Sequence, residues 1–138
     1  MAYTIDKLSL GQTESITRTI TERDIALFGE VTGDMNPAHF DEAYAATTPF
    51  KTRIAHGMLS GSFFSAILGT KMPGHGTIYM GQTLKFKAPV KIGDTVVATC
   101  TIKELVPEKR RAVIACEAKV GDMVVIEGEA LVMAPAKA

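Results

Sequence analysis

The chain has 138 residues, enough for one domain that buries a core without disulfide or metal staples. Hydrophobic residues make up 46% of it and charged residues 22%, which excludes a disordered chain. Lysine plus arginine and aspartate plus glutamate each number 15, so net charge is zero and the positive excess of a general nucleic-acid binder is missing.

No apolar run approaches the length of a membrane span, and the opening MAYTIDKLSLGQ lacks the basic and apolar regions of a signal peptide, so the chain is expected to be cytoplasmic. Residues 12–20 (QTESITRTI) alternate polar and apolar side chains, as a half-buried strand does. Thr21 then starts a helix: its side chain is placed to accept from the backbone near Asp24, and Asp24 suits the positive helix end. Along TERDIALFGEVTGD, Ile25, Leu27, Phe28 and Val31 make the expected apolar face, and Gly33 is the expected stop.

Asp34 stands just past that stop and five residues before His39, in GDMNPAHFD. On one continuous helix the two side chains would point about 140° apart. Pro37 excludes such a helix by fixing its own φ and pushing Asn36 out of helical geometry. The chain must turn here, so the acid and the imidazole can converge. A short helix is expected to follow, with Asp41 near its start (DEAYAAT).

HGMLSGSFFSAILG, residues 56–69, is the most apolar stretch and carries large apolar side chains round most of its circumference, the mark of a buried helix. After MPGHG the chain alternates in four segments: TIYMGQTLKFKAPV, DTVVATCTIKELV, RRAVIACEAKV and MVVIEGEALVMA. The breaks PVKIGD, PEKR and VGD are short, so the strands they join are expected to run antiparallel as a four-strand meander. Cys100 and Cys116 fall within these strands at no common zinc spacing and are expected to be reduced packing residues. The expected fold is α+β, a curved antiparallel sheet wrapped around one buried central helix, in a single domain over residues 1–138. The tail APAKA is expected to fray.

GDMNPAHFD, then RIAHGMLSGSFFS, then GQTLKFKAPVKIGD resemble the MaoC-like, R-specific enoyl-CoA hydratases of the hot-dog fold. The resemblance runs from about Ile25 to the C-terminus. It implies addition of water to short- to medium-chain trans-2-enoyl-CoA, giving (R)-3-hydroxyacyl-CoA, reversibly, with no metal or organic cofactor. Such chemistry needs a base for the water, an acid for the α-carbon and a stabiliser for the enolate oxygen.

By resemblance Asp34 and His39 are the catalytic pair, the Gly57 amide is the oxyanion donor, and Ser65 orients Asp34. Read without it, Asp34 is first a turn residue and His39 a partly buried loop histidine, while Ser60 and Ser62 compete with Ser65. Neither member of the pair is expected to matter for folding. Asn36, His56, Met58 and Arg53 complete the expected substrate site: Asn36 bracing the turn, His56 mainly structural, and Arg53, with Lys51, in reach of the coenzyme A phosphates. Arg53 and Lys51 are equally readable as solvated loop charges. His39, His56 and His75 lack the paired spacing of a zinc site.

Rival functions are the same reaction on acyl-carrier-protein thioesters, a hot-dog thioesterase, and a non-catalytic acyl-binding subunit. The expected partners are the enoyl-CoA substrate and a second copy in a homodimer, with no nucleic acid and no membrane.

Overall fold

The computed structural model describes residues 2–136. The strands are β1 (Thr13–Thr19), β2 (Ile78–Gln82), β3 (Lys85–Phe86), β4 (Thr95–Val106), β5 (Arg111–Val120) and β6 (Met123–Met133). The helices are α1 (Glu22–Thr32), α2 (Pro37–Phe40), α3 (Glu42–Ala45) and α4 (Gly57–Thr70). All strand pairings are antiparallel, in the order β1-β4-β5-β6-β2, and β3 also pairs with β6.

Only β4, β5 and β6 form the expected meander. The segment before them crosses to the far edge beside β6, and β1 takes the place next to β4. The turn at residues 91–94 decides this: Asp94 O accepts from Ile20 N–H at 2.9 Å, and Gly93 N–H donates to Ile20 O at 2.8 Å. Those bonds seat the start of β4 against the end of β1. The crossing segment is itself broken into β2 and β3 where Thr83 lies over Gly128. A Cβ on Gly128 would stand 1.9 Å from Thr83 O, so the close approach requires glycine.

Along β4 and β5 every second residue is buried: Val96, Ala98, Cys100 and Ile102, then Ala112, Ile114, Cys116 and Ala118. This period-2 face meets α4, which touches β1, β4, β5 and β6, so the sheet curves around the helix. Small inward residues on the strands leave room for Phe63 and Phe64 of α4. Phe64 and Ile67 are fully buried, and each such side chain contributes about 1.5–3 kcal/mol by leaving water. Cys100 and Cys116 are free, buried and directly paired across β4 and β5, with sulfurs 4.0 Å apart.

The helix α4 is not buried all round. Met58, Ser62, Ser65, Ala66 and Gly69 lie exposed along one side, with Met58 52% accessible. Helix α1 opens with the capping box expected at Thr21, whose Oγ1 accepts from Asp24 N–H at 3.1 Å. Its packed face is narrower than expected, however. Ile25 and Gly29 are buried and Phe28 half-buried, while Leu27 and Val31 are exposed. At about 100° per residue, Leu27 and Val31 share a stripe turned away from Ile25 and Gly29.

The tail is partly tied down: Ala134 and Pro135 are buried, and Ala134 N–H donates to Arg110 O at 2.7 Å. Ala136 is exposed, and the rest of the expected fraying falls on residues 137 and 138, outside the described residues.

Candidate active site

Helix α1 ends at Gly33, which takes φ 79° and closes on Gly29 O at 2.8 Å. Asp34 begins the turn, its Oδ1 accepting from Asn36 N–H at 3.2 Å. Asn36 Oδ1 accepts from Ala38 N–H at 3.0 Å, and Pro37 occupies the start of α2. The break at Asn36-Pro37 is therefore also a helix start, and His39 rides on that one-turn helix rather than on a loop. Helix α2 docks on α1 because Gly29 has no side chain: a Cβ there would stand 2.6 Å from the Phe40 ring.

His39 Nδ1 lies 2.8 Å from Ile54 O. A carbonyl oxygen only accepts, so Nδ1 carries a proton, and in the neutral ring Nε2 has the lone pair a general base needs. A carboxylate oxygen of Asp34 and a ring nitrogen of His39 lie within 4.8 Å of each other. His56 joins them. Its Nε2 is 2.9 Å from the Asp34 main-chain oxygen, and its ring stacks on His39 with centroids 3.9 Å apart. Asp34 is exposed, whereas His39 and His56 are buried.

These residues line a cavity of about 380 Å³ at the N-terminus of α4. Gly57 opens that helix and no side chain caps it, so its N–H lacks an intrahelical partner and is available to a ligand oxygen. A Cβ on Gly57 would stand 2.7 Å from the Phe86 ring, so glycine lets this aromatic wall close in. Met58, Ser60, Phe50, Val90 and Ile126 add to a largely apolar lining.

Gly57, His56 and Met58 thus stand on the pocket wall together with the acid and the imidazole. Asn36 braces the turn through its side chain and does not line the cavity. Arg53 is committed elsewhere. Its Nη atoms donate to the Glu22 carboxylate at 3.1 and 2.5 Å, and Nε donates to His39 O at 2.7 Å, so it braces α2 instead of facing a phosphate. The cation on the wall is Lys87, 3.3 Å from Glu127, and nothing in the strand pattern distinguished it from its neighbours.

Ser65 lies on the open side of α4, away from the cavity. Ser60 does line the cavity, and its hydroxyl is buried without a partner among the described residues. Its position one turn after His56 was the available signal.

Among the described residues, Asp34, His39 and His56 form the one group of side chains close enough to suggest a metal site. Their geometry does not fit one. Imidazole lone pairs lie in the ring planes, and planes 31° apart with centroids 3.9 Å apart meet well beyond a metal–nitrogen distance of about 2.1 Å. One nitrogen of each ring donates to a carbonyl, so His39 Nε2 and His56 Nδ1 are the two that would have to converge.

An antiparallel sheet curved on a central helix, with an acid and an imidazole at that helix's N-terminus, defines a hot-dog domain built for acid–base chemistry in an apolar pocket. The comparisons with known proteins narrow this further. The family model described as MaoC like domain matches residues 9–125. The chain is 59% identical over 127 residues to an (R)-specific enoyl-CoA hydratase of Rhodospirillum rubrum, covering 92% of this chain and 88% of that protein. It is 51% identical over 132 residues to a 3-hydroxybutyryl-CoA dehydratase of Methylorubrum extorquens, covering 96% and 84%. Among solved structures, an R-hydratase of Pseudomonas aeruginosa superposes with a TM-score of 0.91 at 48% identity, over 97% of this chain and 86% of that one. The chain belongs to the MaoC-like family.

Proposed function

We propose that the protein is an R-specific enoyl-CoA hydratase, a hydro-lyase that interconverts trans-2-enoyl-CoA of short to medium chain and (R)-3-hydroxyacyl-CoA. One observation carries this: Asp34 and a His39 with its Nε2 lone pair free converge beside the uncapped N-terminus of α4. A water held between carboxylate and imidazole attacks the β-carbon while one of its protons passes to the pair. The electrons of the double bond move to the thioester oxygen, where the Gly57 N–H stabilises the enolate. A proton returned from the pair to the α-carbon completes the addition on one face.

The reading takes residues 1–138 as one domain of this type, working in the cytoplasm as a homodimer. Cys100 and Cys116 serve as buried packing residues, and no helix among the described residues is long and apolar enough to cross a membrane. The edge strand β2 exposes Ile78, Tyr79 and Met80, and α4 has an open side, so a second copy would cover both. Ser65 would then lie at the contact between copies.

The test is to supply crotonyl-CoA and longer enoyl-CoAs and follow the absorbance of the conjugated thioester, with chiral analysis of the product and a thiol reagent for released coenzyme A. Hydration to the R product is expected. A mainly S product, or free coenzyme A as the product, overturns the reading; the second outcome would indicate a thioesterase.

A further inference from the structure

We propose that His56 is a positioning residue for hydration: its Nε2–H holds the Asp34 main chain in register with the His39 base. The inference rests on the function proposed above and assigns a task to a side chain that neither donates to substrate nor takes its proton.

The His56 bond to the Asp34 carbonyl, 2.9 Å long, ties the turn after α1 to the N-terminus of α4. Because that carbonyl can only accept, the proton sits on Nε2. The same ring stacks on His39 at 3.9 Å and packs against Phe28 and Phe40 at 4.8 and 5.7 Å. One side chain therefore touches both members of the acid–base pair, which stand on different segments of chain.

The position is a poor choice for helix stability. The residue preceding a helix usually offers a side-chain oxygen to the first free N–H groups, and the His56 side chain caps none of them. Its Nδ1 is buried without a partner among the described residues, so nothing but the Asp34 bond and the ring contacts orients the imidazole. A locally unfavourable side chain beside a functional group is the pattern expected where geometry outranks stability.

The Asp34 carboxylate needs such a tether. Asp34 is exposed, and its carboxylate accepts from Asn36 N–H within the same turn. A displacement of about 1 Å at a reacting group can cost on the order of 10²-fold in rate.

Two variants separate the hydrogen bond from the packing. His56→Phe keeps an aromatic ring against His39 and removes the donor, whereas His56→Gln keeps an N–H near the Nε2 position and removes the ring. With the enoyl-CoA assay, His56→Phe should lose about 10- to 100-fold in kcat with KM within about threefold. His56→Gln should retain at least about a third of wild-type kcat. A role confined to packing would reverse that order, because Gln discards the ring contacts.

A folded His56→Phe within about threefold of wild-type kcat, or a His56→Gln slower than His56→Phe, overturns the proposal. Should either variant fail to fold, nitrogen-15 spectra of the wild-type imidazoles decide it. A protonated Nε2 with bare Nδ1 on His56 is expected, and the opposite tautomer overturns the tether. A wild-type protein with no hydratase activity would instead remove the functional reading itself.

Discussion

Replacing His39 with asparagine is the sharpest test of the acid–base pair, because the side-chain amide can stand in for one ring nitrogen and not the other. In His39→Asn the amide N–H reaches roughly where Nδ1 stands, so the 2.8 Å bond to Ile54 O is retained while Nε2 disappears. Asp34→Asn is the companion variant: it keeps an oxygen for Asn36 N–H and removes the charge. Two hydrogen bonds of about 2.8 Å meeting at a tetrahedral angle span about 4.6 Å. The Asp34 carboxylate and a ring nitrogen of His39 lie no more than 4.8 Å apart, close enough for one water to bridge them.

General acid–base groups contribute on the order of 10²- to 10⁴-fold, or about 3–5 kcal/mol of barrier. Each single variant should lower kcat by at least about 10²-fold with little change in KM. The double variant should be hardly slower than either single one, since the shared water is lost once.

Stability should part the two. Asp34 is exposed, so Asp34→Asn should leave Tm nearly unchanged. His39 is only 9% exposed and stacked on His56, so His39→Asn should lose about 1–2 kcal/mol, or roughly 3–8 °C in Tm. This corrects the expectation from sequence that neither residue matters for folding: the imidazole is part of the packed structure. Steady-state kinetics with crotonyl-CoA and thermal melts of the three variants measure all of this. A folded Asp34→Asn keeping more than about a tenth of wild-type kcat, or losses that multiply in the double variant, would refute the shared water.

Gly128→Ala should destabilise by about 3–5 kcal/mol, because its Cβ must displace Thr83 O from 1.9 Å and disturb the bonds Thr83 makes to Glu129; a melting curve within about 3 °C of wild type would contradict this. Prolonged chelation should leave the hydration rate unchanged, since the stacked rings cannot converge on an ion; a rate lost to chelator and restored by zinc would count against it. Although Tyr79 is 40% accessible, partial burial of its ring, then the nearby Cys116 and Cys100, push the phenol from 10.0 up to about 12. Above pH 10 the unfolded chain releases this proton more readily than the folded one, so this group's contribution to stability is lost between pH 10 and about 12. Ultraviolet titration should show a late phenolate component that Tyr79→Phe lacks, and a wild-type titration finished by about pH 10.5 would disprove the shift.

The elements that sequence alone determined are those whose causes are local. The Thr21–Asp24 capping box, the Gly33 stop, the interruption at Asn36-Pro37 and the period-2 strands each depend on residues within a few positions of one another. The same locality made GDMNPAHFD legible as a place where an acid and an imidazole could meet. It did not show that Pro37 begins a helix or that His39 is buried, because both depend on Phe40 docking into the space left by Gly29.

Tertiary structure decided what depends on distant partners. Strand order followed from the bonds between Ile20 and the turn at residues 91–94, which periodicity cannot register. Arg53 was drawn to Glu22, which is remote in sequence, leaving Lys87 on the cavity wall. Ser60 and Ser65 look alike in an apolar helix. The curvature of the sheet turned one toward the pocket and left the other on the open side of α4, because burial belongs to the neighbour that arrives and not to the residue that waits for it.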